Sequence, residues 1–429
     1  MLRVVPLALC ATIVLGLISL PSLGAAQEPT ELAERERRIA ATRAKRAAKT
    51  KTLGFSTRVS ESLGKAIELF SDEDYAESVR VLERALRRRT NPLEKATCYR
   101  ILAYARHAQD DTEGAIEAFR LVVAQQILPL EDENEVRFNI AQLHASLQQW
   151  EKTLATLNDW FEWVDAPSPA AYYFKALTLY QLERPDEALV EALRVLEQAD
   201  EPRESWLQLV VALNLEKQSY ADATPHLEEL VTRFPKKRYW LQLALIYTAT
   251  GRYEDSLAAQ QLAYAQGLLD EDAELRRLAR AYLYHELPDP AAQLLAQGID
   301  EESVERDAES LELLANSYIA AREYEASMAP LLEAAELEET GRLYVRLGQV
   351  HIQREEWSQA TTMLRKALER EALKDPGRAM ILIGIAAYSS DSPDSAIAWF
   401  SKARRYENVR TEADEWIEHI ERELRARAG

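Results

Sequence analysis

Cysteine is nearly absent from this chain: its 429 residues include two, Cys10 and Cys98. A disulfide framework is therefore excluded, and stability must come from packing. Cys98, inside a helical pattern, reads as a small core residue. Glycine and proline are scarce at 13 and 16, which suits continuous helix and leaves too little glycine for a phosphate-binding loop. Basic charge is outweighed: 52 Lys and Arg stand against 71 Asp and Glu, for a net charge of −19. A general nucleic-acid binder needs a basic face, so nucleic acid is not an expected partner.

Catalytic constellations are missing too. His107, His144, His226, His285, His351 and His419 form no His-Glu-x-x-His pair and sit near no cysteine pair, so no metal site is expected. No Gly-x-Ser-x-Gly elbow occurs. The runs Asp72–Glu73–Asp74, Glu131–Asp132–Glu133 and Asp270–Glu271–Asp272 lack the glycine and spacing of a calcium loop. They sit where acids favour a helix start. The chain is expected to be no enzyme and to need no cofactor.

What is there is a repeat. Trp240–Leu243–Ala244–Tyr247 is followed by Gly251 and Tyr253; Leu311–Leu314–Ala315–Tyr318 by Tyr324; Tyr344–Leu347–Gly348–His351 by Trp357 and Ala360. The period is about 34 residues, the mark of a stacked-repeat solenoid. In such a fold each unit packs only on its neighbours, so a chain too long for one core still folds. Ten hairpins are expected, starting near Val59, Ala96, Asn134, Pro169, Glu204, Lys237, Asp272, Ala308, Gly341 and Gly377. Small residues at the eighth position, such as Ala66, Ala103, Ala244 and Gly384, let paired helices approach. Aromatics at the seventeenth, such as Tyr75, Trp150 and Tyr253, wedge the turn. Large apolar residues near the twenty-fourth, Leu82, Phe119, Leu157, Leu227, Leu331, Leu364 and Phe400, fill the interface. Val211 breaks the small-residue rule in the fifth repeat, and Pro288 with Pro290 is expected to rewrite the turn of the seventh.

The ends differ. Arg3, the apolar run Val4 to Leu20, Pro21 and Gly24–Ala25–Ala26 read as a signal peptide over residues 1–26, cleaved after Ala26. The alternative is a retained anchor, for which the run is short. Cys10 follows Leu9, not a small residue, so no lipoprotein processing is expected. Export and a helical, cysteine-poor chain point to a bacterial periplasm. Residues 27–58 carry Arg43, Lys45, Arg46, Lys49, Lys51 and Arg58 and read as a basic, flexible or loosely helical arm, either a solvated tail or a weak contact for a membrane surface or an acidic partner. Residues 411–429 read as a C-terminal capping helix with Trp416, Ile417 and Ile420 on its apolar face.

The repeats resemble the tetratricopeptide repeat. That implies an all-α, right-handed superhelical solenoid of about ten hairpins over residues 59–410. A narrower resemblance is carried by Leu63–Gly64–Lys65–Ala66–Ile67–Glu68–Leu69, Glu204–Ser205–Trp206–Leu207–Gln208–Leu209, the stretch from Phe234 to Leu243, and Tyr264–Ala265–Gln266–Gly267–Leu268–Leu269. It is similar to the exported tetratricopeptide protein of proteobacteria found with TonB–ExbB–ExbD type energy-transduction systems. It implies a periplasmic accessory of energised outer-membrane transport, with TonB-, ExbB- or ExbD-type envelope partners.

In that family the first helix of each hairpin lines the groove. The groove residues here would be Arg100, Tyr104, Phe138, Asn139, Tyr173, Tyr180, Gln208, Gln242, Arg276, Arg280, Tyr284 and Arg346, with Asn316 and Gln349 beside them. Aromatics with arginine suit protein-binding hot spots. Arg276 and Arg280, one turn apart, could face one partner carboxylate or could pair with Glu274 and other acids of the chain itself. The set that clamps a C-terminal carboxylate in chaperone-binding relatives is absent, since Leu63 and Ile67 occupy its place. The expected function is a non-catalytic protein-interaction scaffold. The alternatives are an envelope assembly factor with transient clients, and a glycan binder stacking sugars on groove tyrosines.

Overall fold

The computed structural model describes residues 29–428; the expected signal peptide and Cys10 lie outside them. The described residues contain helices and no strand, and none of these helices is long and apolar enough to cross a membrane. The chain divides into two units, the first ending at Ser219 and the second starting at Tyr220.

The N-terminal unit holds α1 (Pro29–Lys51), α2 (Thr57–Ser71), α3 (Tyr75–Leu86), α4 (Pro92–Ala108), α5 (Thr112–Gln125), α6 (Leu130–Ser146), α7 (Trp150–Trp163), α8 (Pro169–Gln181), α9 (Pro185–Gln198) and α10 (Glu204–Glu216). The C-terminal unit holds α11 (Tyr220–Arg233), α12 (Lys237–Ala249), α13 (Tyr253–Ala265), α14 (Asp272–Tyr284), α15 (Pro288–Asp300), α16 (Ala308–Ala320), α17 (Tyr324–Leu337), α18 (Arg342–Gln353), α19 (Trp357–Leu368), α20 (Pro376–Ser389), α21 (Pro393–Ala403) and α22 (Arg410–Ala428). From α2 to α9 the first unit forms four hairpins and from α12 to α21 the second forms five, while α10 ends the first unit and α11 opens the second.

One backbone device makes every turn. A residue with positive φ stands two places before each second helix: Glu73, Asp110, Gln148, Glu183 and Gln218 in the first unit, then Gly251, Glu286, Arg322, Glu355 and Asp391 in the second. It ends the first helix in the left-handed region, where the next residue can begin another helix. The seventh turn is the same as the rest: Glu286 has φ 58° and α15 starts at Pro288. The expectation that Pro288 and Pro290 rewrite it is corrected. Proline in the first turn of a helix gives up an N–H that has no intrahelical partner, and its fixed φ already suits the helix. The same logic places Pro92, Pro169, Pro185, Pro376 and Pro393 at helix starts.

Small residues meet where the helices of a hairpin cross. Ser78 Oγ donates to the Ala66 carbonyl at 2.8 Å, and Ser256 Oγ to that of Ala244 at 2.8 Å. The last two hairpins have glycine at the first-helix position, and a large residue leans into the space. A Cβ on Gly348 would lie 2.5 Å from Leu364 Cγ, and one on Gly384 would lie 2.5 Å from Phe400 Cε1. At the end of the chain α22 packs on α21, burying Ala413 and Ile420 and stacking Trp416 on Phe400 with ring centroids 5.5 Å apart. That covers the apolar face the last hairpin would otherwise expose.

Residues 29–51 depart from the flexible or loosely helical arm expected of them. They form one helix, α1, which docks on the edge of its own unit. Arg43 pairs with Glu131 at 2.6 Å and Asp165 at 2.8 Å, and Arg38 with Glu162 at 2.5 Å. Arg35 donates to the carbonyls of Phe161 and Val164. Ile39 and Arg46 are buried, and Glu133 is fully buried between Arg46 and Arg137, at 2.6 Å from each. The acids that favour the start of α6 and the loop before α8 thus also attract the basic helix. The acidic partner of the arm is the chain itself.

Candidate functional site

In the N-terminal unit most of the expected groove residues are engaged by other side chains of the unit. Tyr104 meets Phe119 edge to face, with ring centroids 5.2 Å apart, and accepts a hydrogen bond from Asn139 Nδ2 at 3.2 Å. Burial pushes its hydroxyl pKa up. Phe138 sits against Trp160 and Phe174 at 5.1 and 5.8 Å, and Tyr173 lies 6.3 Å from Trp206. Arg100 reaches Asp132 at 3.7 Å. Gln208 donates to Glu204 at 3.1 Å. Tyr180 is exposed.

The C-terminal unit behaves differently. Gln242, Arg280 and Arg346 are exposed, and Tyr284 is 70% exposed. Arg276 is the exception. It is buried and held by Asp272 at 2.7 Å, Asp307 at 3.1 Å and Glu309 at 3.3 Å. Arg280 pairs with Glu309 at 2.5 Å. The two arginines therefore join α14 to the hairpin that follows it, and Arg276 is removed from the candidate partner-binding set. Burial alone would raise the Asp307 carboxyl, yet the Ser310 N–H and the Arg276 guanidinium hold it below its ordinary pKa.

Two grooves open beside the first helices of this unit. One, of about 680 Å³, is lined by Asn316, Arg342, Arg346 and Gln349 with Glu312 and Glu338 among them. Its charges are mostly paired: Arg342 lies 2.5 Å from Glu312 and 3.3 Å from Glu338. The other, of about 740 Å³, lies between α12 and α14 over α13. It is lined by Leu241 and Leu245 of α12, Tyr253 of α13, and Arg277, Arg280 and Tyr284 of α14. Leu245 is 68% exposed. The rings of Tyr253 and Tyr284 stand 5.7 Å apart.

Sequence reading missed this second groove except for Arg280 and Tyr284. The signal was present at Gln260. It holds the twenty-fourth position of the sixth repeat, where eight of the other nine repeats place Leu or Phe and the fourth places Ala192, and it lines the groove. Its side chain turns back to Ser256, donating to the carbonyl at 3.3 Å. The second signal is the pair Leu241 and Leu245, an apolar step of four residues outside the repeat signature.

Asp270, Glu271 and Glu274 are the one acidic group close enough to hold a cation among the described residues. Lys237 Nζ already lies 2.6, 3.1 and 3.1 Å from them. An ammonium fills the place, which suits the structural reading of that acidic run.

A model of the tetratricopeptide repeat matches residues 63–128, 213–271 and 345–409. Three stretches of this chain are tetratricopeptide repeats. No curated protein sequence matches the chain. Among solved structures, MamA is 21% identical with a TM-score of 0.35, covering 41% of this chain and 94% of its own. A tetratricopeptide repeat protein from Parabacteroides merdae ATCC 43184 is 16% identical with a TM-score of 0.34, covering 68% and 99%. YrrB, a TPR protein with an unusual peptide-binding site, is 12% identical with a TM-score of 0.36, covering 44% and 96%. The likeness to these three is one of fold.

The tetratricopeptide hairpin continues where the sequence match lapses. Helices α6 to α9 and α14 to α17 keep the left-handed turn residue at Gln148, Glu183, Glu286 and Arg322. The tetratricopeptide fold suggests a protein-interaction scaffold. Burial pushes the Cys98 thiol up to about 11, away from reactivity. Burial pushes the pKa values of His144 and His226 down. His144 Nδ1 lies 2.9 Å from Gln149 and His351 Nδ1 2.6 Å from Glu356, each tying the end of a first helix to the start of the second.

Proposed function

We propose that this chain is a non-catalytic interaction scaffold of the bacterial periplasm, an accessory factor of a TonB-type energy-transduction or outer-membrane transport system. The observation that carries the scaffold reading is the groove between α12 and α14. Leu245 and Tyr284 are large, apolar and exposed there, on rigid helices. Such residues cost little further ordering when a partner docks. The periplasmic part rests on the N-terminal sequence, with Arg3, the run Val4 to Leu20 and Gly24–Ala25–Ala26 in the order of a cleaved leader. The TonB-type context rests on the resemblance carried by the stretches around Leu63, Trp206, Trp240 and Gly267.

The test is photocrosslinking in cells, with the reactive residue at Tyr180 or Tyr284, after fractionation and sequencing of the mature N-terminus. The expected result is a chain starting at Gln27 in the periplasm, crosslinked from Tyr284 to a TonB-, ExbB- or ExbD-type component. A spread of outer-membrane clients would replace the fixed-complex reading with that of an assembly factor. A cytoplasmic chain, or no protein captured from either position, would overturn the proposal.

A further inference from the structure

The α12–α14 groove has a chemical bias that the neighbouring groove of about 680 Å³ lacks. The chain carries 71 acidic residues against 52 basic, yet no carboxylate lines this groove. Its titratable side chains that can be positive are Arg277, Arg280 and His285. Arg280 is shared with Glu309, but Arg277 is exposed and has no ion-pair partner among the described residues. Beneath them lie Leu241 and Leu257, beside the exposed Leu245. The neighbouring groove of about 680 Å³ shows the contrast: Glu312, Glu338 and Asp375 line it, and the first two pair with its Arg342.

We propose that the α12–α14 groove binds a peptide segment that is both apolar and acidic, supplied by a partner protein. This rests on the scaffold reading and names the kind of partner it takes. Leucine- or phenylalanine-like side chains would cover Leu245 and the floor and lie along the Tyr253 and Tyr284 rings. Tyrosine suits this use because it offers a large rigid face with few rotors to freeze. Carboxylates of the segment would meet Arg277 and Arg280, and arginine pairs with carboxylate in bidentate geometry. A basic segment finds no acid in the groove and leaves Arg277 facing like charge. The overall charge of −19 does not prevent this, because distant charges are screened beyond about 8 Å at physiological salt. The volume of about 740 Å³ is also that of an ordinary ligand site.

The test uses the full mature chain and fluorescence anisotropy. The probes are short labelled peptides built from Leu, Phe and Glu, and the same peptides with every Glu replaced by Lys or by Gln. The Glu set should bind about tenfold or more tighter than the Lys set, with the advantage shrinking as salt rises. Leu245→Asp should abolish binding, Tyr284→Ala should weaken it about tenfold, and Arg277→Glu should turn the preference toward the Lys set. These side chains are exposed, so circular dichroism should be unchanged, and Arg277→Ala serves as a second variant if Arg277→Glu misfolds. Equal binding of the Glu and Lys sets, binding retained in Leu245→Asp, or no binding of any set overturns the proposal. A crosslink from Tyr284 to an envelope protein without Glu-set binding would sink the acidic-peptide proposal alone. Glu-set binding without any crosslink in cells would sink the scaffold reading alone.

Discussion

The two units build the same hairpin and use its first helix in opposite ways. In the N-terminal unit Tyr104, Phe138 and Tyr173 are met by Phe119, Trp160 and Trp206, which leaves Tyr180 as the exposed ring of the expected set. In the C-terminal unit Tyr284 meets Tyr253 but keeps 70% of its surface exposed. Phe119 and Gln260 occupy the same place in the second and sixth repeats, but Phe119 covers Tyr104 whereas Gln260 lines an open groove. A repeat signature therefore fixes the hairpin but not the use of its face, which depends on what the adjoining helix supplies.

The largest expected effect tests how far the N-terminal unit depends on its own charges. Glu133 is fully buried between Arg46 of α1 and Arg137 of α6. Glu133→Ala leaves two arginines without their shared carboxylate and should cost about 3–5 kcal/mol. Hydrogen exchange should show α1 and α6 opening while the slow amides of α16 to α20 stay protected. Loss of protection in both units would mean that they do not behave as separate folding units.

The next effect belongs to the C-terminal unit. Gly384→Ala places a methyl 2.5 Å from the Phe400 ring. Overpacking of this kind costs about 1–3 kcal/mol. Urea unfolding followed by tryptophan fluorescence should report it, because the Phe400 ring stacks on Trp416. No loss would show that Phe400 can swing clear and that the close crossing is not needed.

A smaller change should make the C-terminal unit resemble the N-terminal one. Gln260→Leu restores the residue type usual at its position. It removes a weakly bonded buried amide and fills the groove floor. We expect a gain of about 1 kcal/mol in unfolding free energy, together with loss of Glu-set peptide binding. A gain in stability with binding unchanged would detach the groove from Gln260.

The hairpins were legible in the sequence because their determinants are local. The turn, the small residues at the crossing and the aromatic after the turn all lie within one repeat. The docking of α1 was not legible, because Arg43 and Arg46 find Glu131, Asp165 and Glu133 far along the chain. From residues 27–58 alone, a basic stretch with few large apolar residues looks like a solvated arm. For Arg276 the sequence left open a partner carboxylate or an acid of the chain, and could not choose because Asp307 and Glu309 belong to the next hairpin. The groove was half legible. Tyr284 could be placed from its position in the repeat, whereas the opening beside it follows from Gln260, a residue notable only for what it replaces.

The smallest expected effect asks whether the two units share their turns as closely as the backbone suggests. Nine of the ten turn residues are not glycine, although each has positive φ; Glu73 has φ 61° and Glu286 has φ 58°. A side chain in this region costs about 1–2 kcal/mol, and glycine there gives back roughly 0.5–1 kcal/mol in unfolded-chain entropy. Glu73→Gly and Glu286→Gly should therefore each stabilise by about 0.5 kcal/mol, the first in the N-terminal unit and the second in the C-terminal. Gly251→Glu, with φ 75° at that position, should cost a similar amount. Equal shifts in melting temperature from the two glutamate replacements would make the turn a property of the repeat itself. A gain at one and a loss at the other would mean that one glutamate side chain holds its unit by a contact that offsets the strain of its backbone.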